Sequence, residues 1–288
     1  MPATRHKRET TQKARALAVR VLAALTSIAL STLALAQTPF IVDQWKLGRR
    51  DSGSTLSYCV DQRDPDWPVA RDLAQQIAGA LLLEPKERLF TEQMITDNLD
   101  NLYRILQESC DLFMGFKLIP DAYPDWMTLT RAYYRASYVV VIADEKWKSL
   151  ADVPRTGAIA ATLGTSADLR LTQYLMSLRD TERWQRFPMA NDEAALRAVL
   201  SGTAQAALVW EPAFQALRRD DPAFARLRAA GPAPLPAMTA DVGAALLSSE
   251  SFLRTNVDQA IAALAADGTL ARIFADHKFP GRIPQDSR

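Results

Sequence analysis

LSYCVDQRDPDWPVARDLAQQIAGALLL, residues 56–83, passes from strand-like to helix-like sequence across one polar turn. Leu56 to Val60 alternates weakly and is rich in strand formers, which predicts a first strand. Asp61 to Pro68 is a polar turn with two prolines. Pro68 suits the first turn of a helix, and Leu73, Ile77, Ala80 and Leu81 share one helical face, so a helix is expected to about Leu83. Outward from there, a strand-like segment precedes a second helix after Thr96, with Leu99, Leu102, Tyr103 and Leu106 at i, i+3, i+4 and i+7. Asp111 to Gly115 is almost wholly apolar, as a strand buried on both faces would be. Strand, helix, strand, helix, strand is the order that builds an open α/β sheet.

The second half repeats the grammar. Tyr138 to Ala143 is a β-branched run, and Ala158 to Leu163 leads into Gly164-Thr165-Ser166. Leu171, Tyr174, Leu175 and Leu178 then mark a helix, and Asn191 caps another that carries Leu196, Val199 and Leu200 and closes at Gly202. Ala204 to Trp210 reads as a strand broken by Glu211-Pro212. Polar, proline-rich sequence from Asp220 to Pro236 has room for one short helix, and Val242 to Leu247 returns to an apolar strand. The chain closes with two helices hinged at Asp267-Gly268. The runs 138–143 and 242–247 bracket a self-contained αβ block, so the chain leaves one lobe, builds another and returns. Residues 53–141 and 244–288 are assigned to lobe 1 and residues 142–243 to lobe 2; two connections of this kind permit hinge closure around a ligand.

Residues 1–36 carry an export pattern. Arg5, Lys7, Arg8, Lys13, Arg15 and Arg20 precede an uncharged apolar run from Val21 to Ala36, which ends in Ala34-Leu35-Ala36. The run is shorter than the about 20 residues of a spanning helix, so a cleaved signal peptide is expected, leaving no stable membrane insertion and a periplasmic protein. Residues 37–52 read as an N-terminal extension. The leader holds six of the 34 Lys+Arg and one of the 33 Asp+Glu, so the remaining 252 residues have 28 basic and 32 acidic side chains and a net charge of −4. That balance argues against a nucleic-acid partner. His277 is the one histidine beyond the leader; close to the C-terminus it reads as a surface residue, and it sits in no metal-ligand spacing. Cys59 and Cys110 fit either a disulfide formed in an oxidising compartment or two buried free thiols.

Candidate ligand-binding residues follow from position. In open α/β sheets ligands sit beyond the carboxyl ends of the strands. Asp61, Arg63 and Trp67 follow the first strand, Gly115, Phe116 and Lys117 the third, and Trp210 and Glu211 the strand of the second block. Gly164-Thr165-Ser166 opens a helix whose first N–H groups suit an anion, or are capped by Thr165 or Ser166. Glu211 also serves as the cap of the helix that Pro212 begins.

From about Leu56 to Phe279 the sequence resembles family 3 of the bacterial extracellular solute-binding proteins. The resemblance rests on Cys59-Val60-Asp61 with the following helix, on CDLFMG (110–115), on TRAYY (130–134), on Gly164-Thr165-Ser166 and on the tail VDQAIAALAADGTLARIFADHKF (257–279). It implies an α/β, two-lobed periplasmic binding protein type II fold, each lobe an open, mostly parallel sheet flanked by helices, with two hinge strands between them. CDLFMGF (110–116), TRAYYRASYVVV (130–141) and Trp210-Glu211-Pro212 are similar to the J-type accessory proteins of PQQ-dependent methanol and alcohol dehydrogenases. This implies a partner of a periplasmic quinoprotein dehydrogenase or its cytochrome c, with no cofactor and no enzymatic activity of its own. The alternative is the substrate receptor of an ABC permease for a small amino-acid-like or organic anionic solute; a dehydratase-like enzyme is the minor one. The family's amino-acid receptors place an arginine on the ligand carboxylate where this chain has Tyr123, and an aspartate on its ammonium where this chain has Trp210-Glu211. Arg63 or Arg131 is then the cation left to reach the cleft.

Overall fold

The computed structural model describes residues 53–91 and 99–284. The expected signal peptide and extension lie outside the described residues. Strand β1 (Thr55–Asp61) runs parallel to both β2 (Glu84–Phe90) and β3 (Leu112–Lys117). Between β1 and β2, helix α1 (Trp67–Ala80) has Pro68 in its first turn and buries Val69, Leu73, Ala74 and Ile77. It ends three residues before the expected Leu83, because Leu82 adopts φ 57° and turns the chain into β2. Helix α2 (Leu99–Glu108) buries Leu102, Ile105 and Leu106, two of which are on the expected apolar face.

The second parallel set is β8 (Ala206–Trp210), β6 (Ala158–Thr162) and β7 (Gln185–Met189), with α3 (Ser166–Met176), α4 (Asp192–Leu200) and α5 (Glu211–Asp220) packed around it. Asn191 caps α4 through the Ala194 N–H, 2.8 Å away, and Gly202 takes φ 77° just beyond its end.

Two long antiparallel strands connect the sets. β5 (Tyr134–Ile142) pairs over Tyr134 to Tyr138 with β10 (Met238–Leu247), and over Tyr138 to Ile142 with β8. These are the two strands the sequence places at the lobe crossings. They do more than connect: the strand order β2-β1-β3-β10-β5-β8-β6-β7 is one continuous hydrogen-bonded sheet, with short strands β4 (Met127–Leu129) on β10 and β9 (Arg228–Ala230) on β5. Strands β4, β7 and β9 escaped the sequence reading, since β4 and β9 span three residues each and β7, QRFPM, has neither alternation nor a β-branched run. Helices α6 (Ser251–Ala266) and α7 (Thr269–Asp276) close the chain, turning at Gly268 with φ 82°.

Side-chain alternation along β1 divides the core. Leu56, Tyr58 and Val60 enter a large cluster with Leu73, Ile77, Tyr134 and Leu246. Cys59 points to the other face, among Leu102, Leu106, Phe113 and Met127. There it is bridged to Cys110, with the Cα atoms 5.7 Å apart, so the disulfide is the alternative realised. A third cluster, with Val141, Leu196, Val209, Phe214 and Phe224, packs the second parallel set.

Gly243 lies where β10 passes close to its neighbours. A Cβ there would stand 2.9 Å from Thr130 Oγ1 and 3.0 Å from both the Arg131 carbonyl and Leu118 Cδ2. Gly243→Ala is expected to cost about 1–3 kcal/mol, as overpacking does. A urea midpoint equal to the parent's in equilibrium unfolding would show that the strand yields without cost.

Candidate functional site

The carboxyl ends of β1 and β3, the end of β8 and the start of α4 meet on one side of the crossing strands. Lys117, the last residue of β3, extends its ammonium to 4.7 Å from the Trp210 ring centroid and 5.2 Å from that of Tyr138. Tyr138 and Trp210 are register partners on β5 and β8, and their rings lie 4.9 Å apart. Among the described residues, Lys117 Nζ forms no ion pair. Tyr138, only 5 % exposed, leaves its hydroxyl without a hydrogen-bond partner. The hydroxyl oxygen nevertheless lies close enough to the ammonium to act on it both as a charge and as a loosely aligned hydrogen-bond acceptor, and both effects raise the Lys117 pKa.

Three aspartates gather where β1 ends and the next turn begins, Asp61, Asp64 and Asp66, and the last two act on this ammonium. Arg63 folds back onto Asp61, with Nε 3.0 Å and Nη2 2.6 Å from the two carboxylate oxygens. Asp66 accepts the Tyr134 hydroxyl at 2.7 Å. Asp64 hangs over Gly115, where an added Cβ would meet Asp64 Oδ2 at 2.9 Å; Gly115 also has φ 91°, so both space and backbone call for glycine. The Gly115 N–H donates to the Tyr133 hydroxyl at 2.8 Å. From the second set, Asp192 opens α4 and accepts the Thr162 hydroxyl and, at 3.3 Å, the Trp210 N–H. The space left among Asp61, Asp64, Asp66, Trp67 and Gly115 is about 150 Å³, including its solvent-facing part.

Burial governs the charge states. It pushes the Asp64 carboxyl up to about 8, reinforced by the negative charges of Asp66 and Asp61 against the opposing pull of Lys117 and Arg63. Asp66 and Asp192 are also raised by burial, although the Tyr134 and Thr162 hydroxyls and Lys117 work the other way. Burial works against the Lys117 ammonium, but Tyr138, Asp192 and Asp64 outweigh it and hold its pKa above the ordinary lysine value. Lys117 is thus a firmly protonated amine beside three carboxyls that resist ionisation, those of Asp64, Asp66 and Asp192.

Of the residues singled out in the sequence, Asp61, Gly115, Lys117, Trp67 and Trp210 belong to this group or to its recess. Arg63 joins it as the partner of Asp61. Phe116 alternates to the other face and packs with Phe113 and Tyr123, ring centroids 5.6 and 6.0 Å away. The Arg131 backbone N–H donates to Asp258 at 2.6 Å. Glu211 is the first residue of α5, whose cap position is taken by Trp210. At Gly164-Thr165-Ser166 the chain supplies its own anion. Thr165 Oγ1 accepts the Asp168 N–H at 3.2 Å, the Gly164 N–H donates to Asp168 at 3.1 Å, and Arg186 grips the same carboxylate through two contacts of 2.7 Å. Ser166 is exposed at the start of α3. Asp64, Asp66, Tyr138 and Asp192 were missed. The D-x-x-D-x-D spacing of Asp61, Asp64 and Asp66 was a visible signal; the position of Asp192 depends on how α4 docks. Among the described residues, no group of three or more His, Cys, Asp or Glu is placed to hold a metal, and no helix is long and apolar enough to cross a membrane.

No family model and no curated protein matches the chain. Solved structures do. A probable amino-acid ABC transporter extracellular-binding protein from Bacillus subtilis is 13 % identical, over 77 % of this chain and 96 % of that one, with a TM-score of 0.63. The VFT2 domain of BvgS from Bordetella pertussis is 17 % identical over 81 % and 95 %, with a TM-score of 0.59. The GluR0 ligand-binding core from Nostoc punctiforme, solved with L-glutamate, is 15 % identical over 77 % and 98 %, with a TM-score of 0.56. At such identities the likeness speaks for architecture alone: the chain has the two-lobed type II fold of the periplasmic binding proteins.

Proposed function

We propose that the chain is a periplasmic receptor that closes two lobes on a small solute and presents it to an ABC-type permease. Residues 53–141 with 244–288 form one lobe and residues 142–243 the other, and β5 and β10 are the hinge. The observation that carries this reading is the meeting of Lys117, from one lobe, with Trp210 and Asp192 from the other. Side chains that touch across a cleft are those a ligand bridges when the lobes shut. The name of the Bacillus subtilis neighbour, a probable extracellular-binding protein of an amino-acid ABC transporter, points the same way. The space remaining around Asp64 is too small for a solute, so entry requires the lobes to part.

A thermal-shift screen of small metabolites on the leaderless chain tests the reading. A true ligand at about 100 times its Kd stabilises the folded state by about 2.7 kcal/mol, which raises Tm by roughly 5–10 °C at this size. Silence across a broad panel removes the receptor function.

One observation favours a second reading, an accessory role beside a PQQ-dependent dehydrogenase or its cytochrome c. Tyr123 stands where amino-acid receptors of the resembled family carry their carboxylate-binding arginine, and its hydroxyl donates to the Lys117 carbonyl at 2.5 Å. Co-purification with a dehydrogenase from the native periplasm, and reduced dehydrogenase activity on deletion, supports that role; unchanged activity ends it.

A further inference from the structure

We propose that the group recognised in this cleft is a carboxylate or similar oxyanion, bound by Lys117 Nζ and Tyr138 Oη, on a solute without a cationic amine beside it. The proposal rests on the receptor reading and narrows its ligand. Two donor groups at the cluster are poorly met. Lys117 brings three N–H donors and no ion pair among the described residues, and the buried Tyr138 hydroxyl, at most a loose acceptor for that ammonium, has no acceptor for its own proton. A carboxylate offers acceptors to both. Its charge-assisted bonds also replace water lost by an ammonium that sits on two aromatic faces.

Three of the four carboxyls that could receive a ligand amine already hold a partner. Asp61 is taken by Arg63, Asp66 by the Tyr134 hydroxyl, and Asp192 by the Thr162 hydroxyl and the Trp210 N–H. Asp64 remains, and with its carboxyl pushed up to about 8 it is a neutral acid at pH 7. In that state it donates to an oxyanion; ionised, it repels one. The charged and titratable groups around it act in known directions. Asp61 and Asp66 on its own turn disfavour ionisation, and Arg63 and Lys117 favour it. Tyr133 and Tyr134, beside β5, are held well above the ordinary tyrosine range and stay neutral. Asp192, across the cleft, faces Lys117. Affinity for the oxyanion therefore falls as pH rises through the Asp64 transition.

Matched pairs that differ in the ammonium test this directly: pyruvate against alanine, and 2-oxoglutarate against glutamate, titrated calorimetrically into the leaderless chain. The expected result is saturable binding of at least one oxo acid, at least about tenfold tighter than its amino partner. Lys117→Met should weaken it by about 10–100-fold and Tyr138→Phe by about 3–10-fold, the range for charged and neutral hydrogen bonds. Asp64→Asn should abolish the loss of affinity between pH 7 and pH 9. Tighter binding of an amino acid overturns the proposal and leaves the receptor reading intact. No binding by any of the four overturns it too, and a silent metabolite screen then removes both. An unchanged affinity in folded Lys117→Met is equally fatal; should that variant not fold, Tyr138→Phe decides alone.

Discussion

Replacing both Cys59 and Cys110 by alanine lowers stability by about 4 kcal/mol, the chain-entropy value for a loop of this length. The bridge spans 51 residues, which takes in the whole of α1, β2 and α2. Without it, the unfolded chain regains the freedom of that long loop, while the folded state keeps its apolar contacts. Both cysteines are fully buried among Leu102, Leu106 and Phe113, so alanine leaves no unpaired polar atom there. For a protein of this size the deficit lowers Tm by roughly 10 °C. Calorimetry of the double variant, beside the parent with and without reductant, measures it; a difference under about 2 °C between variant and oxidised parent would mean that the bridge adds little.

Asp64→Asn should stabilise the protein at pH 8 and leave it nearly unchanged at pH 4. The folded-state pKa of Asp64, about 8, lies above the ordinary aspartate value of 3.8. The protonated form is therefore the one the fold prefers. Its stabilisation is complete below about pH 4 and is lost as pH rises towards 8, at up to about 1.4 kcal/mol per unit. Asparagine has the same shape and never ionises, so it escapes that loss. Allowing for the partial exposure of Asp64, a gain of roughly 2–4 kcal/mol at pH 8 is expected. Asp66, also raised by burial, drives the parent in the same direction. Thermal unfolding of parent and variant at pH 5 and pH 8 decides the matter: equal shifts at both values would show that Asp64 is already ionised at pH 5.

The parallel β1, β3, β6 and β8 and the crossing strands were legible because each is an apolar or β-branched run bounded by turn residues. The helices announced themselves by spacing and by caps such as Asn191. Pairing was not legible. That β5 lies against β10 at one end and β8 at the other depends on register, and only this register sets Tyr138 beside Trp210. The site was therefore read by half. Strand ends pointed to Asp61, Gly115, Lys117 and Trp210, but no local pattern joins Asp192 to a lysine 75 residues earlier. Gly164-Thr165-Ser166 shows the opposite case, in which a local pattern was clear but a distant residue, Arg186 on β7, completes its chemistry with Asp168.

Among the described residues the continuous sheet ends in two outer strands, β2 and β7, and an outer strand is a place where a strand from another molecule can pair. Both carry deterrents. β2 reads EPKERLF, with Pro85 near its start and Lys86, Glu87 and Arg88 through its exposed centre. β7 reads QRFPM, with Arg186 and Pro188. Proline removes an N–H from the outer edge, and charges that pairing would strip of water oppose an incoming strand. At high concentration the chain is thereby guarded against edge-to-edge association into fibres, and the guard is built into strands that take no part in the cleft.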